Sequence, residues 1–306
     1  MSAAWVAGSV RARALARRRI GAVAARRLAE SGSLEDALRL LAPTGYGREI
    51  HPGQTLAQAQ HGIAAAILWD LRVLAGWLPQ RGLPLLRTLA GWFEIANVDE
   101  LLAGLGGRQP GKLFTLGSLA TSEARLRTAS NRSELQAALT ASGWGDPGGD
   151  SAHAIRLGMR ARWALRVGAF DDPLQTWAAA GAALLLAGER FAAGRTIAPA
   201  VLVPLAGLLG TAVEASTLDA LAAAVPARAR WALAGVTSPT DLWRAEAAWW
   251  ARVERDAFAR LRTSAPNAEP VIGAVAVLAA DAWRARAALE MAARGGGDLG
   301  VYDAVA

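Results

Sequence analysis

Apolar residues recur at spacings of three and four along most of this chain, and this periodicity limits its fold more than any other feature. The clearest stretch carries Ile63, Ile67, Leu71, Leu74 and Leu78. Such spacing places side chains on one face of an α-helix, whereas a half-buried strand alternates every second residue. The run Val201-Leu-Val203 is the nearest approach to a strand, and it stops at Pro204, which cannot donate to a β-ladder. The sequence therefore predicts an all-α protein.

The segment Leu86–Leu105 combines aromatic and polar residues in a way that is unusual for an Ala- and Leu-rich helical chain. Helical spacing assigns Trp92 and Phe93 to the core. The acid that follows them, Glu94, is expected to be oriented and partly buried. Asn97 precedes another acid by three residues, and this pattern favours an N-cap with a capping box that restarts a helix.

Helix-start signals of one kind occur at three places in the chain. They read Ser33-Leu-Glu-Asp36, Ser133-Glu-Leu-Gln136 and Ser216-Thr-Leu-Asp219. Each places a serine three residues before an acid or an amide, as in a capping box. Their recurrence predicts internal repetition of a helical unit. The alternative is that a box of four common residues recurs by chance in any helical chain.

The positive charge of the chain is almost entirely arginine. The formal net charge is +7, the pI is about 11.1, and Lys112 is the single lysine. Near the N-terminus, Arg17, Arg18 and Arg19 form a cluster that is a candidate contact for an acidic partner. A solvated helix face is the competing interpretation, and nucleic-acid binding is a weaker one because acidic residues are interspersed.

Residue types and spacings exclude several kinds of chemistry. The absence of cysteine rules out disulfides, cysteine nucleophiles and thiolate metal sites, and it fits a reducing cytosol. The three histidines do not have metal-ligand spacing, and no glycine-rich turn is followed by Lys-Ser/Thr. We interpret Asp171-Asp172-Pro173 as a turn rather than part of a metal motif. The sequence predicts no catalytic, cofactor-binding or metal-binding residue, and therefore a protein that is not an enzyme.

Taken in order, several of these elements resemble the C-type subunit of prokaryotic V/A-type rotary ATPases, whose eukaryotic counterpart is the d-type subunit of the V-ATPase. The resemblance rests on the opening helix Val10–Leu15, the element Ser33–Tyr46, the segment Trp92–Asn97 and the repeated boxes. It covers nearly the whole chain. The chain departs from the family in lacking an arginine soon after Asn97 and in having Asp281-Ala-Trp-Arg284 without the family's asparagine.

The resemblance implies three tandem related helical lobes that form a funnel-like array, with residues 1–306 as a single unit. It implies a non-catalytic coupling protein of the central stalk that links the membrane rotor ring to the central shaft for ion transport, with protons as the expected ion. It also implies a peripheral position on the cytoplasmic face of the membrane, with no cofactor, nucleic acid or small-molecule substrate. The candidate structural or interface residues are Trp92, Phe93, Glu94, Asn97, Arg17, Arg18 and Arg19. A free-standing helical-repeat adaptor is the alternative function.

Overall fold

The computed structural model describes residues 3–296, and helices occur along the whole of that range. Helices account for 70% of it and strands for none of the described residues, which confirms the all-α prediction. The α-helices of this range are α1 (Val6–Ala16), α2 (Gly21–Ala29), α3 (Leu34–Leu41), α4 (Leu56–Ala75), α5 (Leu83–Leu89), α6 (Gly91–Leu105), α7 (Glu123–Leu126), α8 (Arg132–Thr140), α9 (Ala152–Gly168), α10 (Asp172–Ala187), α11 (Pro199–Leu209), α12 (Leu218–Ala224), α13 (Ala227–Arg230), α14 (Leu242–Arg262) and α15 (Glu269–Ala293). Short 3-10 helices lie at Ala3–Trp5, Gln80–Gly82, Gly117–Leu119, Gly210–Glu214 and Pro239–Asp241, and a π-helical turn at Gly188–Ala192.

Short polar side chains cap the helices that the three boxes predicted, but two of the caps are displaced. Ser33 Oγ accepts a hydrogen bond from Asp36 N at 3.1 Å, as predicted. The second cap is Asn131, two residues before Ser133, and the third is Thr217 rather than Ser216. The predicted positions were wrong because Asn, Ser, Thr and Asp all cap well, so several registers of one polar run are acceptable.

One further local prediction is corrected. Asp171 is the N-cap of α10, where its Oδ1 accepts from Leu174 N at 2.7 Å, so the Asp-Asp-Pro run is a helix start and not a turn. Pro173 fits the first helical turn because the N–H that it lacks has no partner there. The prediction that Val201–Val203 forms no strand is confirmed, because the run lies in α11, with Pro204 inside that helix.

The described chain divides into two compact units. One combines the residues up to Leu86 with those from Trp250 onward, and the other is Arg87–Trp249. In the first unit, α15 is the central helix and packs against α1, α2, α3 and α4. Buried residues lie on nearly every side of it, with Val271, Leu278 and Leu289 among them, as expected of a helix surrounded by others.

The second unit contains two separate hydrophobic cores. One is formed by α6, α7, α8 and one face of α9, with Leu102, Leu139 and Ile155 among its members. The other is formed by a second face of α9 with α10, α11 and α12, and it includes Leu157 and Leu205. Helix α9 therefore contributes to both cores.

Among residues 3–296, no single helix is both long enough and apolar enough to cross a bilayer. The pair Pro199–Glu214 and Leu218–Ala224 passes the same length and composition test only when taken together, with a bend of 118° between its members. In the second unit, Val201 and Leu205 from this stretch are buried.

Candidate functional site

Glu94 is entirely buried and binds three donors in the second unit. Its Oε1 accepts from the backbone N–H groups of Thr121 at 3.2 Å and Ser122 at 2.7 Å. Its Oε2 accepts from Trp144 Nε1 at 2.6 Å. Hydrogen bonds to a carboxylate are short and strong, and they offset part of the cost of removing it from water. The acid is oriented as expected, and it is wholly rather than partly buried.

Asn97 lies one turn after Glu94 in the middle of α6, so the prediction that it caps a new helix is wrong. Helix α6 continues from Gly91 to Leu105 without interruption. The Asn97 amide instead donates to Phe114 O at 2.8 Å and accepts from Phe114 N at 2.7 Å. It therefore satisfies both backbone polar groups of Phe114, a buried residue in the loop that follows α6.

The two aromatic residues before Glu94 differ in burial. Phe93 is fully buried and meets the ring of Phe114 edge to face, with the ring centroids 5.2 Å apart. Trp92 is only half-buried, so its assignment to the core was wrong. Side chains of neighbouring helix residues point about 100° apart, so Phe93 points into the core and Trp92 points away from its centre.

A second buried acid, Asp281, binds a corresponding set of three donors in the first unit. It accepts from the backbone N–H groups of Ile20 at 3.0 Å and Gly21 at 2.8 Å. It also accepts from the Tyr46 hydroxyl at 2.7 Å. We call each such group a carboxylate anchor: a buried acid that binds two consecutive backbone N–H groups and one aromatic donor. Burial, and then the adjacent Asp281, raise the pKa of Tyr46 well above its usual value.

Backbone conformation explains how Asp281 binds two consecutive N–H groups. Ile20 is right-handed, with φ −78°, and Gly21 is left-handed, with φ +73°. Alternation of this kind turns successive N–H groups toward one point and forms a concave anion site. Glycine occupies the second position because other residues are strained at positive φ.

The aromatic donors end two segments that match position by position. Tyr46 and Trp144 each lie thirteen residues after the N-cap of their segment, Ser33 and Asn131 respectively. Both segments place an acid three residues after the cap, a leucine after eight, Thr or Ser after eleven and glycine after twelve. The match extends the repetition that the sequence predicted, in the register set by Asn131 rather than by Ser133.

The hydroxyl groups in the two segments make the same bonds. Thr44 Oγ1 donates to Leu41 O at 2.6 Å and accepts from Tyr46 N at 3.3 Å. In the second unit the hydroxyl of Ser142 donates to Leu139 O at 2.6 Å and accepts from Trp144 N at 3.1 Å. The turn that delivers each aromatic donor is therefore built in the same way.

The matching glycines allow close approach to the segment that each acid binds. A Cβ atom on Gly45 would lie 2.7 Å from Arg18 O, two residues before Ile20. A Cβ atom on Gly143 would lie 2.9 Å from Thr121 Cγ2. Both distances are shorter than van der Waals contact allows. The glycines therefore let each aromatic turn lie close to the segment whose N–H groups bind the acid.

A polar residue follows each acid by three positions on its helix. After Glu94 it is Asn97, and after Asp281 it is Arg284. The Arg284 guanidinium is buried and pairs with Glu254 through contacts of 2.7 and 3.2 Å. The two positions thus correspond, but the arginine binds a side chain where the asparagine binds backbone.

The third cap, Thr217, begins a segment without an anchor of this kind. Thirteen residues after it the chain has Arg230, and the indole N–H of the next residue, Trp231, bonds to Arg228 O. Nearby, Arg190 donates to two backbone carbonyl groups, Val213 O at 2.7 Å and Ala215 O at 2.8 Å. Here a partly buried cation binds backbone carbonyl groups, whereas in each anchor a buried anion binds backbone N–H groups.

The three arginines of the cluster near the N-terminus differ in their contacts. Arg18 pairs with Asp70 at 2.8 Å, and Arg19 lies over the ring of Phe258 at 4.7 Å. Arg17 is exposed. Burial raises the pKa of Asp70, and the neighbouring Arg18 opposes that shift. Two of the three residues therefore contribute contacts inside the first unit.

The chemistry of the anchors favours positioning of backbone over proton transfer. In each anchor both carboxylate oxygens already accept hydrogen bonds, and the group is closed to solvent. No group of three or more His, Asp or Glu side chains in the described part of the chain has the geometry to hold a metal ion.

No protein-family model and no curated protein matches this sequence.

Proposed function

We propose that this chain is the C/d-type coupling subunit of a V/A rotary ATPase, non-catalytic and seated between the membrane rotor ring and the central shaft. The observation that carries the proposal is the carboxylate anchor, which occurs twice. Its two copies involve the elements on which the resemblance rests, Ser33–Tyr46 and Trp92–Asn97. The anchors give those sequence elements a shared physical role.

The proposal includes three related lobes in a funnel-like array. The first unit, with its Asp281 anchor, corresponds to one lobe. The two cores of the second unit correspond to the others: the α6–α9 core carries the Glu94 anchor, and the α9–α12 core contains the divergent Thr217 segment. Divergence of one copy fits a protein whose lobes contact different parts of its partners.

Torque transmission in this proposal depends on packing rather than on chemistry. Close-packed helices are only slightly compressible and transmit strain. Each anchor adds charge-assisted hydrogen bonds between a buried helix and the start of another helix, which limits sliding between them. Exposed Arg17 remains the member of the predicted interface cluster with the most freedom to meet an acidic partner.

Co-purification from native membranes tests the proposal. Tagged protein should recover the ring and shaft subunits of a rotary ATPase and should separate from both when the ring and shaft are dissociated. An Arg17→Glu variant should weaken recovery of the complex while keeping the helical circular dichroism spectrum. Recovery of a stable partner set without ATPase subunits, from cells that express the ATPase, would refute the coupling function and favour the helical-repeat adaptor.

A further inference from the structure

A cleft of about 510 Å³ opens in the second unit beside the first half of α9. The end of α10 and the π-helical turn Gly188–Ala192 complete its walls. Its polar lining includes Arg156, Arg160 and Arg195, and its apolar lining includes Leu157 and Leu185. A volume of this size is typical of sites for small organic molecules and is larger than a free phosphate or acetate ion needs.

Cationic side chains outnumber carboxylates around this cleft. Asp99 is shared by Arg156 at 3.3 Å and Arg160 at 2.6 Å. Glu189 pairs with Arg195 at 2.8 Å and also lies 3.7 Å from His153 Nδ1. Three guanidinium groups therefore face two carboxylates, which leaves an excess of one positive charge before His153 is counted.

The arginines retain capacity to bind a ligand. Their side chains are 39% to 55% exposed, although they are ion-paired. A guanidinium carries five N–H donors, and the ion pair of Arg156 with Asp99 is made through Nε at 3.3 Å. Guanidinium groups bind carboxylates and phosphates through two parallel hydrogen bonds, which makes them well suited to planar or tetrahedral oxyanions.

We propose that this cleft binds a small organic oxyanion, that is, a molecule with a carboxylate or phosphate group on an apolar body. Arg156 and Arg195 bind the oxyanion, and Leu157 and Leu185 contact the body. The positive charge of the site selects the anion, and the apolar lining selects against inorganic ions. The site is separate from the two anchors and does not depend on the ATPase assignment.

Three probes that share a phenyl group distinguish a site for phosphate from a site for carboxylate. They are phenyl phosphate, phenylacetate and uncharged phenylacetamide, each titrated calorimetrically into the full chain. At least one anionic probe should bind at least about tenfold more tightly than the amide, and the stronger of the two identifies the group that the site prefers. Equal affinity for all three probes, or no binding at about 10 mM, would overturn the proposal.

Variants of the cleft separate specific binding from general charge attraction. Arg156→Gln and Arg195→Gln should each weaken the preferred probe by about tenfold. Arg132→Gln, which removes the same charge from an exposed position of α8, should leave its affinity unchanged. Asp99→Asn should strengthen binding because it releases Arg156 and Arg160 from a competing carboxylate. Equal loss in the Arg132 variant, or weaker binding after Asp99→Asn, would contradict the proposed site.

Discussion

Trp144 donates its indole N–H to Glu94 over 2.6 Å, and both side chains are buried. The same relationship links Tyr46 to Asp281 in the other unit, although the donor is a phenol and the acid is one carbon shorter. A buried polar pair is costly to break because the remaining partner loses its hydrogen bond without regaining water. The anchors are therefore the points at which single substitutions should have their largest effects.

The Glu94–Trp144 bond should give a measurable coupling energy. In Glu94→Gln the amide oxygen can still accept from Thr121 and Ser122, but the NH2 group then faces the indole N–H. That variant should lose about 2–4 kcal/mol of unfolding free energy. Trp144→Phe removes the opposing donor, so the double variant should lose at least about 1 kcal/mol less than the two single losses together.

Urea denaturation of the four proteins measures this cycle. Glu100→Gln provides the control, because Glu100 lies on the same helix but binds Gly111 N at 2.7 Å instead of Trp144. The loss of unfolding free energy in Glu100→Gln should add to the loss in Trp144→Phe. Additivity in the Glu94 cycle as well would mean that the indole bond contributes nothing specific.

Asn97 should be far more sensitive to truncation than an asparagine at a helix cap. Asn97→Ala leaves the buried N–H and C=O of Phe114 without partners and should cost about 2–4 kcal/mol. Asn131→Ala removes an exposed N-cap and should cost about 1 kcal/mol. Thermal and urea unfolding of both variants compare the two roles. A smaller loss at Asn97 than at Asn131 would contradict the hydrogen bonds to Phe114.

The glycine in the first aromatic turn should resist substitution. Gly45→Ala forces a Cβ atom against the carbonyl oxygen of Arg18 and should cost about 1–3 kcal/mol through displacement of the turn. Gly32→Ala is the matched control, since nothing lies within 4 Å of a Cβ there. It should be neutral or slightly stabilising because alanine restricts the unfolded chain. Equal unfolding midpoints for the two variants would contradict the close approach of Gly45 to the carbonyl oxygen of Arg18.

Tyr46 should make the protein less stable at alkaline pH. Its pKa is raised in the folded state, so the folded protein holds the phenol proton while the unfolded chain releases it near the usual pKa of about 10. The stabilisation is complete below that pKa and is lost as pH rises, at up to about 1.4 kcal/mol for each pH unit. Tyr46→Phe should remove this part of the alkaline slope.

Tyr46 can be isolated spectroscopically because the chain has two tyrosines. In a Tyr302→Phe background, tyrosinate absorbance should appear only as the protein unfolds above about pH 10. The unfolding free energies of proteins with and without the Tyr46→Phe substitution should converge between about pH 8 and about pH 11. A constant difference across this range would show that Tyr46 titrates as an exposed phenol.

Local patterns predicted the helices and parts of the core, but not the partners of the buried polar groups. The position of Phe93 follows from helical spacing, and Ser33 follows from a capping box. By contrast, Asp281 binds residues about 260 positions away, and Asn97 binds a loop seventeen positions away. No local pattern specifies such partners, because the contacts exist only after the helices have packed.

The hydrogen bonds from Ile20 and Gly21 to Asp281 also have a consequence for synthesis on the ribosome. Helices α1 to α4 are translated before Arg87–Trp249, whereas α15, the helix against which they pack, is translated after it. Arg87–Trp249 is continuous and contains both members of its own anchor, so it can fold while the ribosome is still translating. The apolar faces with which α1 to α4 contact α15 therefore stay uncovered until Arg87–Trp249 has been translated, and chaperone binding is expected to matter most in this interval.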